Sequence, residues 1–243
     1  MKRKDSEPSS GKMAVRLALQ AMVEQKRKLA PEEAVAALNE IFSGNATPAV
    51  TGAFLVALQQ QGAAQDPALL RACADEMVNF ASPCAVLQSE SLMDIVGTGG
   101  DGHDTFNVSS AAGIIMAAAG VRCAKHGNRS ASGSVGTADF LEALGCNLNL
   151  DGPQVVQAIE QCRFGFVFAP CFHPAMRHVG PVRKELGVKT IFNYLGPLTN
   201  PAKPAAQARA PALRAARAHP PAATRQRGVH PRPARGLPRV RAV

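Results

Sequence analysis

The sequence predicts two joined architectures: a small N-terminal all-helical domain, then an α/β domain with a mostly parallel central sheet. Three observations lead there. Proline-led, glycine-ended helical segments fill residues 13–82. From residue 93 strand-like and helix-like segments alternate. And 46% of the 243 residues are hydrophobic, enough to bury a sizeable core.

The helical segments announce their own ends. In "APEEAVAALNEIFSG", Pro31 sits at a helix start, acids follow in the first turn, and Gly44 lies past the end. "TPAVTGAFLVALQQQG" repeats the logic, with Thr47 as N-cap, Pro48 behind it and Gly62 closing. "DPALLRACADEMVNFA" opens again with Asp66 and Pro67. Next come "MDIV" as a strand, "SSAAGIIMAAAG" as a buried helix capped by Ser109 or Ser110 and ended by Gly120, and "VRCAKH" as a strand. "TADFLEALG" reads as a helix capped by Thr137, "CNLNL" as a strand, "PQVVQAIEQC" as a helix and "FGFVFA" as a strand. "HPAMRHVGPVRKELG" reads as helical with a kink near Gly180 and Pro181. The domain boundaries expected are a disordered N-terminus at 1–12, a helical domain at 13–85, an incomplete α/β domain at 90–207 and a disordered basic tail at 208–243.

Charge separates the tail from the rest. Residues 1–201 carry 17 Lys and Arg against 18 Asp and Glu, a net of −1. Residues 202–243 carry 10 Lys and Arg and no acid, so the overall +9 comes from the tail and does not argue for nucleic-acid binding by the folded part. Of those 42 residues, 29 are Ala, Arg or Pro, with no hydrophobic period, which predicts disorder; without aromatics the tail cannot stack on bases. The apolar run at 111–121 is too short for a membrane span, and Arg16 interrupts any secretory apolar core. Cys73, Cys84, Cys123, Cys146, Cys162 and Cys171 form no Cys-x-x-Cys pair, so reduced thiols in a cytoplasmic protein are expected rather than zinc or disulfides.

The chemistry collects in loops that follow strands. In "DIVGTGGDGHDTFNVSS", glycines let backbone N–H groups approach an anion, and the helix that follows offers its N-terminus. A glycine-rich turn without ligand explains "GTGGD" alone equally well. It is neither a Walker loop nor a dinucleotide fingerprint. A second loop, "KHGNRSASGSVGTAD", puts Lys125, His126 and Arg129 at the same sheet edge, where ligands of open α/β sheets collect. Arg183 belongs either to a solvated helix face or to a ligand. On the residues alone the reading stops at a site for a phosphate-bearing small molecule, with no reaction assigned.

"DIVGTGGDGHDTFNVSSAAG", "KHGNRSASGSVGTADFLEALG" and "HPAMRHVGPVRKELGVKTIFNYLGPLTNP" closely resemble anthranilate phosphoribosyltransferase, in the right order and over about residues 13–207. The resemblance implies a helical domain plus an α/β domain, a fold shared with pyrimidine nucleoside phosphorylases, with part of 170–190 packed on the helical domain. It implies transfer of phosphoribose from phosphoribosyl pyrophosphate to the amine of anthranilate, with release of pyrophosphate, in tryptophan biosynthesis. It implies a phosphoribosyl pyrophosphate site at Gly97, Gly100, Asp101, Thr105, Asn107, Val108, Ser109 and Ser110. That site continues through Lys125, His126, Gly127, Asn128, Arg129, Ser130, Ala131, Ser132 and Gly133 to Thr137. Gly97, Asn128 and Arg183 are implied contacts of anthranilate, Ser109 a ligand of Mg²⁺, and a homodimer through the helical domain the assembly. No nucleic-acid or membrane partner is implied. His126 is either a proton acceptor or a structural histidine; His173 either lines the anthranilate tunnel or caps a helix, the second reading being preferred.

The resemblance dissolves after "NPAKPAAQ". The family's Asp-Glu pair for magnesium has no counterpart, since the last acid is Glu185. The switch to Ala, Arg and Pro reads as a frameshift after about Gln207, in the gene or in its reported sequence. The chain as written is therefore expected to be poorly stable and to lack useful turnover. A non-catalytic relic and a pyrimidine nucleoside phosphorylase-like enzyme are the alternative readings.

Overall fold

The helical part begins with α1 (Ala14–Leu19), prolonged by a π-helical turn at Gln20–Glu24, and continues through α2 (Pro31–Phe42), α3 (Pro48–Gln60) and α4 (Pro67–Asn79). The computed structural model describes residues 13–97, 107–130 and 135–209. Each of α2, α3 and α4 opens on a proline, whose missing N–H is not needed in the first turn. The orphan amides that remain find side chains: Asp66 Oδ1 accepts from Ala68 and Leu69 at 3.0 and 3.1 Å, and Thr47 Oγ1 from Val50 at 3.5 Å. At α2, whose N-cap is Ala30, Glu33 reaches back to the Ala30 N–H at 2.9 Å. Gly44 and Gly62 close α2 and α3 at φ 75° and 74°, a conformation other residues adopt only with strain.

The second part holds a sheet of four parallel strands in the order β3-β2-β1-β4 among the described residues. These are β1 (Leu92–Val96), β2 (Arg122–Gly127), β3 (Phe164–Phe168) and β4 (Ala206–Arg209), with Met93 opposite Cys123 and Ala206, and Ala124 opposite Gly165. Helix α5 (Val108–Ala118) connects β1 to β2; α6 (Thr137–Ala143) and α7 (Gly152–Cys162) lie between β2 and β3. Side chains alternate across the sheet. Leu92, Ala124 and Val167 pack with Val155 and Ile159 of α7, whereas Phe166 and Phe168 pack with Ala138 and Leu141 of α6.

After β3 the chain crosses to the helical part through α8 (Ala169–Phe172), a 3₁₀ turn at Pro174–His178, α9 (Gly180–Leu186) and α10 (Phe192–Leu195) before returning as β4. Val179, Ile191, Phe192 and Leu195 are buried in one core with Leu38, Ile41, Phe54 and Leu58. This excursion brings His173 and Gly196 to His126 near the end of β2.

Four local expectations are corrected. "CNLNL" is not a strand: Asn147 Oδ1 accepts the Asn149 N–H at 3.0 Å, a local bond that competes with a ladder, and only Leu148 is buried. Neither Ser109 nor Ser110 caps α5, since both lie inside it behind Asn107. Thr137 is the first residue of α6, not its cap; Asp139 accepts the Gly136 N–H at 2.8 Å instead. And "HPAMRHVGPVRKELG" is no kinked helix but a 3₁₀ turn and α9 separated at Val179, because Pro181 favours a fresh helix start. The expected start of the disordered tail is also corrected: residues 202–209 are described, and Ala206–Arg209 form β4, because pairing with β1 fixes a strand whose composition carries no signal. Residues 1–12 and 210–243, the rest of the segments for which disorder is expected, lie outside the described residues.

Candidate functional site

The polar centre lies where β1 and β2 end. Lys125 is 1% exposed, and its Nζ donates to Ile95 O at 2.6 Å and Ser109 Oγ at 3.1 Å. The central strand thus sends a buried ammonium to the first turn of α5. Burial pushes its pKa down, opposed by the charge of Asp94. Asp94, on β1 and fully buried, accepts from the His126 N–H at 3.1 Å and from Gln207 Nε2 at 3.3 Å. Burial pushes this carboxyl up, against those bonds, a bond from Asn200 and the charge of Lys125. Each charge therefore depends on fixed neighbours, so a change at one is felt by the others.

Both ring nitrogens of His126 have partners within the protein. Its Nδ1 lies 3.1 Å from Gly196 O, which requires the proton on Nδ1; its bare Nε2 then faces His173 Nε2 at 3.2 Å, so His173 donates. Burial pushes both imidazoles down to about 4, and both are neutral near pH 7. His173 makes no side-chain cap on the turn it precedes, contrary to the preferred expectation. It joins the segment after β3 to the end of β2.

The two loops also meet directly. Asn107 Nδ2, just before α5, donates to Gly136 O at 3.2 Å. Gly97 backs onto Ser109, whose Oγ would be 3.4 Å from a Cβ at that position. Val108, half exposed, opens α5; Ser110 behind it is buried, its Oγ without a partner among the described residues. In the second loop Asn128 Oδ1 accepts the Arg129 N–H at 2.7 Å, and Gly127 lies against Thr137 and Phe166. Arg129 is held by Asp139 at 2.8 Å and by Glu142 at 2.7 and 3.0 Å, above the Phe168 ring, and the Ser130 N–H reaches Asp139 at 3.2 Å.

Arg183 stands in the last turn of α9, over the Phe192 ring at 5.5 Å, with Nη2 3.4 Å from Asn193 Oδ1. It has no ion-pair partner among the described residues, and burial lowers its pKa. A half-buried guanidinium without an acid suits an incoming carboxylate. Gly100, Asp101, Thr105, Ala131, Ser132 and Gly133 lie outside the described residues.

Composition and spacing did not single out Asp94, Asp139 or Asn193. Asp94 offered a signal, an acid inside the apolar "MDIV"; Asp139 reads as an ordinary helix residue, and no element is expected around Asn193. For a magnesium ion the described residues do not suffice. They contain no cluster of three His, Cys, Asp or Glu, and the Ser109 hydroxyl already faces the Lys125 ammonium, whose charge opposes a second cation.

Two family models match the chain: the glycosyl transferase family a/b domain over residues 89–210 and the helical bundle domain of that family over residues 17–81. The chain is 49% identical over 176 residues to the anthranilate phosphoribosyltransferase of Leptothrix cholodnii, covering 72% of this chain and 50% of that protein. It is 47% identical over 190 residues to that of Dechloromonas aromatica, covering 78% and 55%. A crystal structure of the Thermus thermophilus enzyme matches with a TM-score of 0.73 at 46% identity, over 81% of this chain and 57% of the other. The Saccharomyces cerevisiae enzyme in complex with PRPP and Mg matches with a TM-score of 0.70 at 28% identity, over 77% and 55%. This chain thus spans about half the length of the curated relatives it matches.

Proposed function

The chain belongs to the glycosyl transferase family, and from that membership we propose that its site serves transfer of phosphoribose from phosphoribosyl pyrophosphate to the amine of anthranilate, with release of pyrophosphate, in tryptophan biosynthesis. The observation that carries the reading is the meeting of Lys125, the N-terminus of α5 and the 128–137 loop at the ends of β1 and β2. Breaking the bond between ribose C1 and pyrophosphate builds negative charge on the leaving group. Backbone N–H groups at a helix start and a fixed ammonium favour that charge. An aniline nitrogen is neutral near pH 7, so the reaction demands no strong base, and the neutral, internally bonded His126 need not act as one. Arg183 holds the anthranilate carboxylate by paired N–H bonds. Catalysis is then mainly orientation and electrostatics.

The same reading assigns phosphoribosyl pyrophosphate to the residues already named between Gly97 and Thr137, and anthranilate to Gly97, Asn128 and Arg183; Ser109 is the Mg²⁺ ligand that the resemblance implies, and its bond from Lys125 is the feature that does not fit that role. It includes a cytoplasmic homodimer formed through the helical domain. It also includes low turnover of the chain as written, whose residues 186–243 contain no acid to stand for the family's Asp-Glu pair. The test is calorimetric titration of the 243-residue chain with phosphoribosyl pyrophosphate and with anthranilate, followed by anthranilate consumption with both substrates and Mg²⁺. Binding of neither substrate by a folded chain refutes the site. Turnover matching that of a full-length relative refutes the low-activity expectation.

A further inference from the structure

Asp139 lies in the first turn of α6, where an acid ordinarily does no more than solvate a helix start. Here its two oxygens have separate tasks. Oδ2 accepts the Gly136 N–H at 2.8 Å and the Ser130 N–H at 3.2 Å, residues six positions apart in the chain; Oδ1 takes Arg129 Nη1 at 2.8 Å. One carboxylate oxygen thus ties together the two ends of the loop after β2. Gly136 makes the approach possible, because a Cβ there would overlap the Ser130 amide nitrogen and lie 2.6 Å from the Arg129 carbonyl carbon. The carbonyl of Gly136 in turn accepts from Asn107, directly before α5. Asp139, Gly136 and Asn107 therefore form a chain of bonds between the starts of α6 and α5.

We infer that Asp139 is a positioning residue for the pyrophosphate-bearing substrate, holding Arg129, Ser130 and Thr137 against the start of α5 before that substrate arrives. The inference rests on the proposed assignment of that substrate to this loop. Its physical basis is preorganisation: binding groups at 129, 130 and 136 that are already held by fixed bonds lose less freedom when the ligand arrives, and the difference appears as affinity. Charge is secondary, because Arg129 keeps two bonds to Glu142 when Asp139 is removed.

The test compares the full 243-residue chain with Asp139→Ala, Asp139→Asn and Glu142→Ala, titrating each with phosphoribosyl pyrophosphate and with anthranilate and recording each melting transition. Asp139→Ala is expected to weaken phosphoribosyl pyrophosphate by about tenfold, the size of one charge-assisted hydrogen bond, and to leave anthranilate unchanged. Asn at 139 can place its amide oxygen where Oδ2 now lies and keep both N–H bonds, so its affinity is expected within about threefold of wild type; so is that of Glu142→Ala, an exposed pair. A merely structural residue would lower the melting temperature and weaken both ligands together. That pattern overturns the inference, as does wild-type affinity in Asp139→Ala or an Asn variant as weak as the Ala one. If Asp139→Ala does not fold, Asp139→Ser, too short to reach Ser130, is judged by the same criteria. A folded wild type that binds no phosphoribosyl pyrophosphate removes the underlying reading and this inference with it. Binding by wild type and Asp139→Ala alike removes this inference alone.

Discussion

Acidification should loosen the fold through His126 and His173. The rings face each other at 3.2 Å between Nε2 atoms, and burial pushes both down to about 4. An unfolded histidine titrates near 6.5. The unfolded chain therefore takes up protons that the folded chain refuses, and stability falls with pH. The loss begins as pH drops through about 6.5, continues to about 4, and levels off below. For each histidine the slope is about 1.4 kcal/mol per pH unit, or about 2 kcal/mol at pH 5. At pH 5 two histidines set a ceiling of about 4 kcal/mol, a large share of the roughly 5–15 kcal/mol of a typical domain. Asp94 works in the opposite sense: its folded pKa is raised, so protonation in acid favours the folded state and offsets part of the loss. The charge of Lys125 also holds His126 down. Urea unfolding of wild type and His173→Gln between about pH 7 and pH 5 measures the effect. The variant has one buried imidazole and should lose about half as much stability. Parallel curves for the two proteins, or a wild type equally stable at both pH values, would refute the reasoning.

Arg183→Ala should weaken anthranilate in preference to phosphoribosyl pyrophosphate, and unchanged anthranilate affinity with impaired phosphoribosyl pyrophosphate would reverse that assignment. Lys125→Ala and Asp101→Asn should do the opposite; calorimetric affinities like wild type would remove both from the phosphate site. Gly165→Ala should cost about 1–3 kcal/mol in urea unfolding, because its Cβ would lie 2.6 Å from Ile159 Cγ1 and 3.0 Å from Val155 O; an unchanged midpoint would mean that α7 shifts off the sheet freely. Sedimentation of the soluble chain should give a dimer at micromolar concentration, and a monomer there would count against association through the helical domain.

Local signals in the chain determined most of the elements. Pro31, Pro48 and Pro67 start helices, Thr47 and Asp66 cap them, and Gly44 and Gly62 end them, because these effects act over one turn of backbone. Alternation of strands and helices after residue 93 was legible for the same reason, and the quoted loop motifs were specific enough to point to the family. "CNLNL" failed because a strand needs a neighbour, which period-two alternation does not report; here the bonds went to Asn147 instead. Only the tertiary structure decided which polar groups meet. His126 and His173 are 47 positions apart, and Asp94 and Gln207 are 113 apart. Asp139 looked like a first-turn acid until the chain folded back to bring Ser130 beside Gly136. Nothing in a residue's immediate neighbours fixes such pairings, since a buried polar group is satisfied by whichever partner the packing of distant apolar segments carries to it.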